Sequence, residues 1–252
     1  MEKGELRKLF LSACNEIAKP LINDGWKPSQ KGQCWKKKHA NKDLTYKVEF
    51  QSSTKNDPSH ITVIPHLAIY SIKAKAYDIE KTGNQYSGGC IWSTNLGYIT
   101  PDKNWMNCNV AGANKDNNIR KITDAIVQYG LPIFSLFDNP TDAVSTLREK
   151  GTSFYEHIKG EKLLNLMPLT FMVLYGSKEA AEEFFNISIE PCKYKNRIHE
   201  LYKSLEIAEK IDLNHSEFYQ ANHVKKAYVE GLSIWDKTLK STPTHPETLI
   251  EE

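Results

Sequence analysis

The stretch Thr45–Ser52, TYKVEFQS, alternates without a break: Tyr46, Val48 and Phe50 are apolar, while Lys47, Glu49 and Gln51 between them are polar. Successive side chains of a strand point to opposite faces. A period of two therefore describes an antiparallel strand that is buried on one side and wet on the other.

The flanking sequence supplies partners for it. Gln33–His39 reads as one strand and Ile61–Ile72 as another, with Pro65 pointing to an edge position or a bulge because it brings no N–H to a ladder. After the Gly/Asn/Ser-rich loop Thr82–Cys90, Ile91–Ile99 and a shorter run at Trp105–Val110 complete four or five antiparallel strands. The links are too short for βαβ crossovers, which excludes a doubly wound sheet.

Helical periods surround this block. Leu6, Leu9, Phe10, Ala13, Ile17 and Leu21 form one stripe ahead of it, ending near Pro20 and Gly25. Ile119, Ile122, Ile126 and Val127 share a face, and Gly130 is expected to end that helix. Asn139 as N-cap with Pro140 behind it starts another, which stops at Gly151. The remainder reads as helical: Glu161–Tyr175, the KEAAEEFF run capped by Ser177, a stripe from Ile198 to Ile211, and a last one from Phe218 to Leu239. The expected fold is α+β, an N-terminal helix packed on an antiparallel sheet of four or five strands, followed by a helical C-terminal region. The corresponding division is an α+β domain over 1–150, a helical region over 151–240 packed on or beside it, and a flexible tail over 241–252.

Composition narrows the function classes. The 252 residues, 40% of them hydrophobic, can bury a sizeable core. A net charge of only +2 means that attraction to a polyanion or an anionic membrane has to come from a local patch. Arg7, Arg120, Arg148 and Arg197 are the only arginines, and base-specific recognition leans on the guanidinium fork that lysine lacks. Cys14, Cys34, Cys90, Cys108 and Cys192 are widely spaced and odd in number, which fits reduced thiols better than a disulfide framework or a zinc site. The N-terminus lacks the apolar core of a signal peptide. No window reaches the roughly 18 apolar residues that span a bilayer. The chain reads as soluble and cytoplasmic, without membrane contact.

Candidate chemistry is sparse. In Gly25–His39, GWKPSQKGQCWKKKH, Trp26 and Trp35 with Lys36, Lys37 and Lys38 would compose a nucleic-acid platform if the rings were exposed, but the favoured reading is a helix-to-hairpin connection with Trp26 buried under the sheet. Three consecutive strand lysines cannot all face one way. His60 and His66 fall on one side of an uninterrupted strand, and Cys34 and His39 on opposite sides, so no metal-ligand spacing is enforced. Gly83–Cys90, GNQYSGGC, has the composition of a phosphate cradle but lacks the lysine–hydroxyl ending and following helix of a P-loop. Cys90 has no histidine locally paired with it, and the carboxylates Asp102, Asp116 and Asp124 look like loop and cap residues.

Three segments carry a resemblance: LINDGWKPSQKGQCWKK at 21–37, YKVEFQSS at 46–53 and LGYITPDKNWMNC at 96–108. Their layout resembles an uncharacterised bacterial domain-of-unknown-function family with a helix, a Gly-Phe-Lys-like turn, a Phe-Gln-Ser-Ser strand and a later Trp-bearing segment. The resemblance covers about residues 5–150, with Trp26 in place of the commoner Phe. It implies no catalytic residue, and by analogy suggests an immunity or defence accessory protein in a bacterial conflict system.

These readings lead to a non-catalytic binding protein that recognises another protein and uses no cofactor or metal. Its expected binding residues are Trp26, Trp35, Lys36, Lys37, Lys38, Trp92, Tyr98 and Trp105. Nucleic-acid binding through residues 26–38 is the alternative. An enzyme is the third reading, and it requires Cys90, His60, His66 and Asp102 to converge in one pocket.

Overall fold

The computed structural model describes residues 3–154 and 165–235. Among these, the sheet runs in the order β1 (Lys27–Ser29), β2 (Cys34–Lys38), β3 (Leu44–Ser52), β4 (Thr62–Ser71) and β5 (Cys90–Asn95), and a short β6 (Cys108–Asn109) also pairs with β4. Every pairing is antiparallel. β3 and β4 pair over nine positions, from Leu44↔Ser71 to Ser52↔Val63. The alternation seen in the sequence becomes a sided sheet: Leu44, Tyr46, Val48 and Phe50 are buried, opposite Ile69, Leu67 and Pro65.

Helices fill that buried side. α1 (Lys3–Ile17) contributes Phe10, Ala13, Cys14 and Ile17 to the same apolar cluster, and a short α2 (Lys19–Ile22) adds Leu21. α4 (Lys115–Ala125) brings Ile119 and Ile122, and α5 (Leu131–Asp138) brings Ile133, Phe134 and Phe137. Phe134 stacks on Tyr46 at 5.2 Å between ring centroids and meets Trp26 at the same separation.

Gly130 does not end its helix. A π-type turn, Ile126–Gly130, joins α4 to α5 and places the bend just before Pro132, which has no N–H to donate. Gly130 there lies against the sheet, where an added Cβ would sit 2.9 Å from Leu67 Cδ1. Pro65 is likewise not at an edge. Its carbonyl accepts from Asn95 Nδ2 at 3.3 Å, and the N–H of a strand residue points to the same side as its C=O. The missing donor therefore faces the gap between the β6 pairing at Thr62–Val63 and the β5 pairing from His66 onward.

One helix has no counterpart in the sequence reading. α3 (Ile72–Thr82) follows β4 directly, capped by Ser71 Oγ, which accepts from Ala74 N, and ended by Gly83 at φ 70°. Only Ala74 on it is buried, so it carries no apolar stripe. β5 is shorter than Ile91–Ile99 because Leu96–Ile99 turns as a 3₁₀ segment.

α6 (Pro140–Lys150) starts and stops as its caps dictate, with Asn139 accepting from Thr141 N and Gly151 at φ 59°. α7 (Pro168–Tyr175), α8 (Lys178–Ile189), α9 (Lys195–Leu205) and α10 (Ala221–Val229) complete the helical region. The expected starts of a helix at Glu161 and of a flexible tail at 241 lie outside the described residues. Phe137 joins the two halves of the core: its ring meets Phe171 of α7 at 5.1 Å and Phe154 at 6.2 Å, and Phe154 meets Trp92 at 6.2 Å.

A buried carboxylate makes a second tie. Asp43 accepts from Ser71 Oγ at 2.8 Å, from Lys73 N at 2.8 Å and from the Tyr175 hydroxyl. Burial opposes its charge, but the Tyr175, Lys73 and Ser71 hydrogen bonds prevail and hold its pKa below the usual carboxylate range. A depressed acid contributes stability that is present above its unfolded pKa and lost as pH falls through the folded one. Asp43→Ala is therefore expected to lower stability at neutral pH and to flatten the loss of stability of the wild type below about pH 4, near the unfolded aspartate value; urea denaturation at a series of pH values measures this. Phe137→Ala is expected to cost about 3–5 kcal/mol in the same assay, and a loss under about 1 kcal/mol would show that its ring does not join the two halves.

Candidate functional site

The side of the sheet opposite the buried Tyr46, Val48 and Phe50 carries polar groups. The register arranges these in rows across the strands. One row is Ser29, Cys34, Glu49, His66 and Asn95, and the next is Lys27, Lys36, Lys47, Ala68 and Ser93. A third brings Lys38, Thr45, Tyr70 and Cys90 together. A cleft of about 390 Å³ lies over this face, with Glu49, His66, Tyr70 and the amides Gln30, Gln33 and Gln51 in its walls.

Asn95 explains how aromatic rings come to stand beside it. Its Oδ1 accepts from Gly97 N at 3.0 Å and Met106 N at 2.7 Å, and its Nδ2 donates to Met106 O at 3.1 Å. Gly97 allows the two segments to meet, since a Cβ there would lie 2.0 Å from Asn104 O. Trp105 is thereby set edge-on to His66, 5.4 Å between centroids, and to Tyr98 at 5.9 Å. Trp105 remains 47% exposed.

The row of Cys34, Glu49 and His66 does not make a nucleophile. Burial raises the Cys34 thiol, which donates to Glu49 Oε1 at 3.7 Å. Glu49 stands between the thiol and His66, and adjacent strands are about 4.8 Å apart, so the imidazole is roughly two strand spacings away. Burial lowers the pKa of His66 against the pull of Glu49, leaving a neutral ring whose buried Nε2 has no partner among the described residues. Burial also pushes the Tyr70 phenol up to about 12, and Lys47 Nζ sits 3.6 Å from its ring centroid. No group of three His, Cys, Asp or Glu among the described residues could hold a metal ion. What the face offers is hydrogen bonding, positive charge and aromatic edges.

The residues singled out in the sequence separate into two sets. Lys36, Lys38, Tyr98 and Trp105 belong to the open side or its border. Trp26, Trp35 and Trp92 are buried, at 3%, 4% and 2% exposure. Trp35 Nε1 donates to Gly32 O and Trp26 packs on Phe134, so neither ring presents a face to solvent. Lys37 is on the other side of β2 from Lys36 and Lys38, paired with Asp24 at 2.9 Å. The enzyme constellation is not assembled. His66 lines the open cleft and Cys90 a separate polar cavity, while His60 and Asp102 are exposed in turns. Burial pushes the Cys90 thiol up to about 11.

The sequence reading did not gather Lys27 and Lys47 with Lys36, nor Glu49 with His66. The period-two pattern placed Lys47 and Glu49 on the wet side, but their neighbours come from other strands. No family model, curated protein or solved structure matches this chain. Among the described residues, no helix is long and apolar enough to cross a membrane.

His66 offers a direct check. A histidine with a lowered folded pKa takes up its proton more readily when unfolded, so the stability from its neutral form is complete well above pH 6.5 and declines as pH falls through that value. NMR titration is expected to place the His66 imidazole below 6.5, and His66→Gln to reduce the loss of stability on acidification. An imidazole that titrates at or above 6.5 would contradict the burial of its ring.

Proposed function

We propose that the chain is a non-catalytic binding protein that recognises another protein through the open side of its sheet. The observation that carries this is the line Lys27, Lys36 and Lys47 across β1, β2 and β3. Like charges directly opposite one another destabilise a sheet, and no ion pair relieves Lys27 or Lys36 among the described residues. A partner that lays carboxylates along the line relieves that repulsion and gains orientation from Trp105, whose exposed ring is the residue type that anchors interfaces. A place in bacterial conflict systems, as an immunity or defence accessory factor, is supported by the resemblance over residues 5–150 alone and adds no residue to the site.

The same lysines favour a second reading, nucleic-acid binding. Against it stand the burial of Trp26 and Trp35, the capping of Tyr70 by Lys47 and the scarcity of arginine. Base stacking on the sheet is left without an open ring among the strand residues named for it.

Tagged wild-type protein and a Lys27→Glu/Lys36→Glu variant, both used to capture partners from native-host lysate, separate the readings. A stoichiometric protein retained by the wild type, lost from the variant and rebound when purified supports protein recognition. Because exposed charge changes act on association, the reconstituted complex is expected to weaken about ten-fold or more, chiefly in its on-rate, and less so at high salt. Stoichiometric nucleic acid with a steep salt dependence would instead overturn the first reading in favour of the second.

A further inference from the structure

Beyond Cys90 at the edge of the sheet, α3, the loop 83–89, α7 and α10 line an open polar cavity of about 330 Å³. That is within the range of roughly 300–1,000 Å³ typical of small-molecule sites. Its floor is preorganised. Lys226 Nζ donates to Asp78 Oδ1 at 2.9 Å and to Thr170 Oγ1 at 2.7 Å, and Ser87 Oγ donates to Asp78 Oδ2 at 2.9 Å. Beside them His223 has a buried Nδ1 with no partner among the described residues. Burial, reinforced by the Lys226 charge, pushes its pKa down to about 3, so the ring is neutral. Asn84, Asn214 and Asn222 line the cavity as uncharged amides, and Met167 and Leu213 supply an apolar flank.

Two features decide the charge of a fitting ligand. First, the only full charges in the lining, Lys226 and Asp78, neutralise each other. Second, the glycine-rich loop is a poor phosphate cradle, because the amides of Asn84, Tyr86, Ser87 and Gly89 are engaged in its own turn. Asn84 N donates to Thr82 Oγ1, Tyr86 N to Asn84 Oδ1, Ser87 N to Asn84 O and Gly89 N to Ser87 Oγ. An anion entering here meets a carboxylate and few free donors. A neutral ligand rich in hydroxyls meets the side-chain amides of Asn84, Asn214 and Asn222 together with Ser87.

We propose that this cavity binds a small uncharged polyhydroxyl ligand of monosaccharide size. Its hydroxyls pair with the side-chain amides of Asn84 and Asn222, and its C–H face lies on Met167 and Leu213. The cavity and the open cleft have separate linings that adjoin at Cys90, the register neighbour of Tyr70.

Isothermal titration and NMR shift mapping of the full chain with glucose, galactose, ribose and N-acetylglucosamine test it, with inorganic phosphate as the charged control. At least one sugar is expected to bind saturably and to shift resonances of α10 and the loop 83–89, while phosphate does not. Asn222→Leu is expected to weaken binding about ten-fold, equivalent to about 1.4 kcal/mol. Asn84→Ala, in the exposed loop, is a second variant whose fold is checked by thermal melting. The proposal is overturned if no sugar binds saturably, if phosphate binds more tightly at these residues, or if a folded variant of each kind binds as the wild type does.

Discussion

The nine-position pairing of β3 with β4 is the constraint on which the rest of the molecule depends. It aligns Tyr46 with Ile69 and Val48 with Leu67 on one side, and Lys47 with Ala68 and Glu49 with His66 on the other. A slip of one residue would exchange the two sides and place Lys47 and Glu49 in the core. Burial of the apolar set therefore fixes, at the same time, which polar groups stand together on the opposite side. Apolar side chains are thereby committed to one side of the sheet, and polar ones to the other.

Buried polar groups tie the C-terminal helices to this frame as much as apolar contact does. Asp43 links the start of β3 to the first turn of α3 and to Tyr175 at the end of α7. Tyr77 donates to Glu230 at 2.6 Å, Lys81 pairs with the same carboxylate at 3.0 Å and Lys226 donates to Asp78 at 2.9 Å, so α3 is joined to the end of α10 through polar contacts. Such pairs are costly to desolvate and costly to break singly, which makes them specific connectors. The same polarity at the α3–α10 junction accounts for a cavity lined with amides and hydroxyls instead of an apolar seam.

The open face and the cavity differ in their charge. On the open side Lys27, Lys36 and Lys47 line up with only Glu49, beside Lys47, as a paired carboxylate among the described residues. In the cavity, by contrast, cation and carboxylate are matched. The open face accordingly suits a large acidic surface that arrives by electrostatic steering, and the cavity suits a neutral ligand held by directional hydrogen bonds.

Much of the local structure was legible in the chain itself: the faces of β3, the capped helix from Pro140 to Lys150, and the mixed helix-and-antiparallel-sheet character. These are set by interactions within a few residues, such as side-chain alternation, the Asn139 cap and the Gly151 stop. α3 escaped because its only buried side chain is Ala74, which leaves no stripe to read. The interior place of Pro65 escaped because it depends on a gap between two later strands. The inward place of Trp26 under the sheet was legible too, whereas tertiary structure alone decided that Trp35 turns inward, that Lys27, Lys36 and Lys47 form one line, and that Lys226 meets Asp78, 148 residues away. The physical reason is the same in each case. Periodicity assigns a side chain to a face, but its neighbours on that face are set by pairing register and helix docking between distant segments.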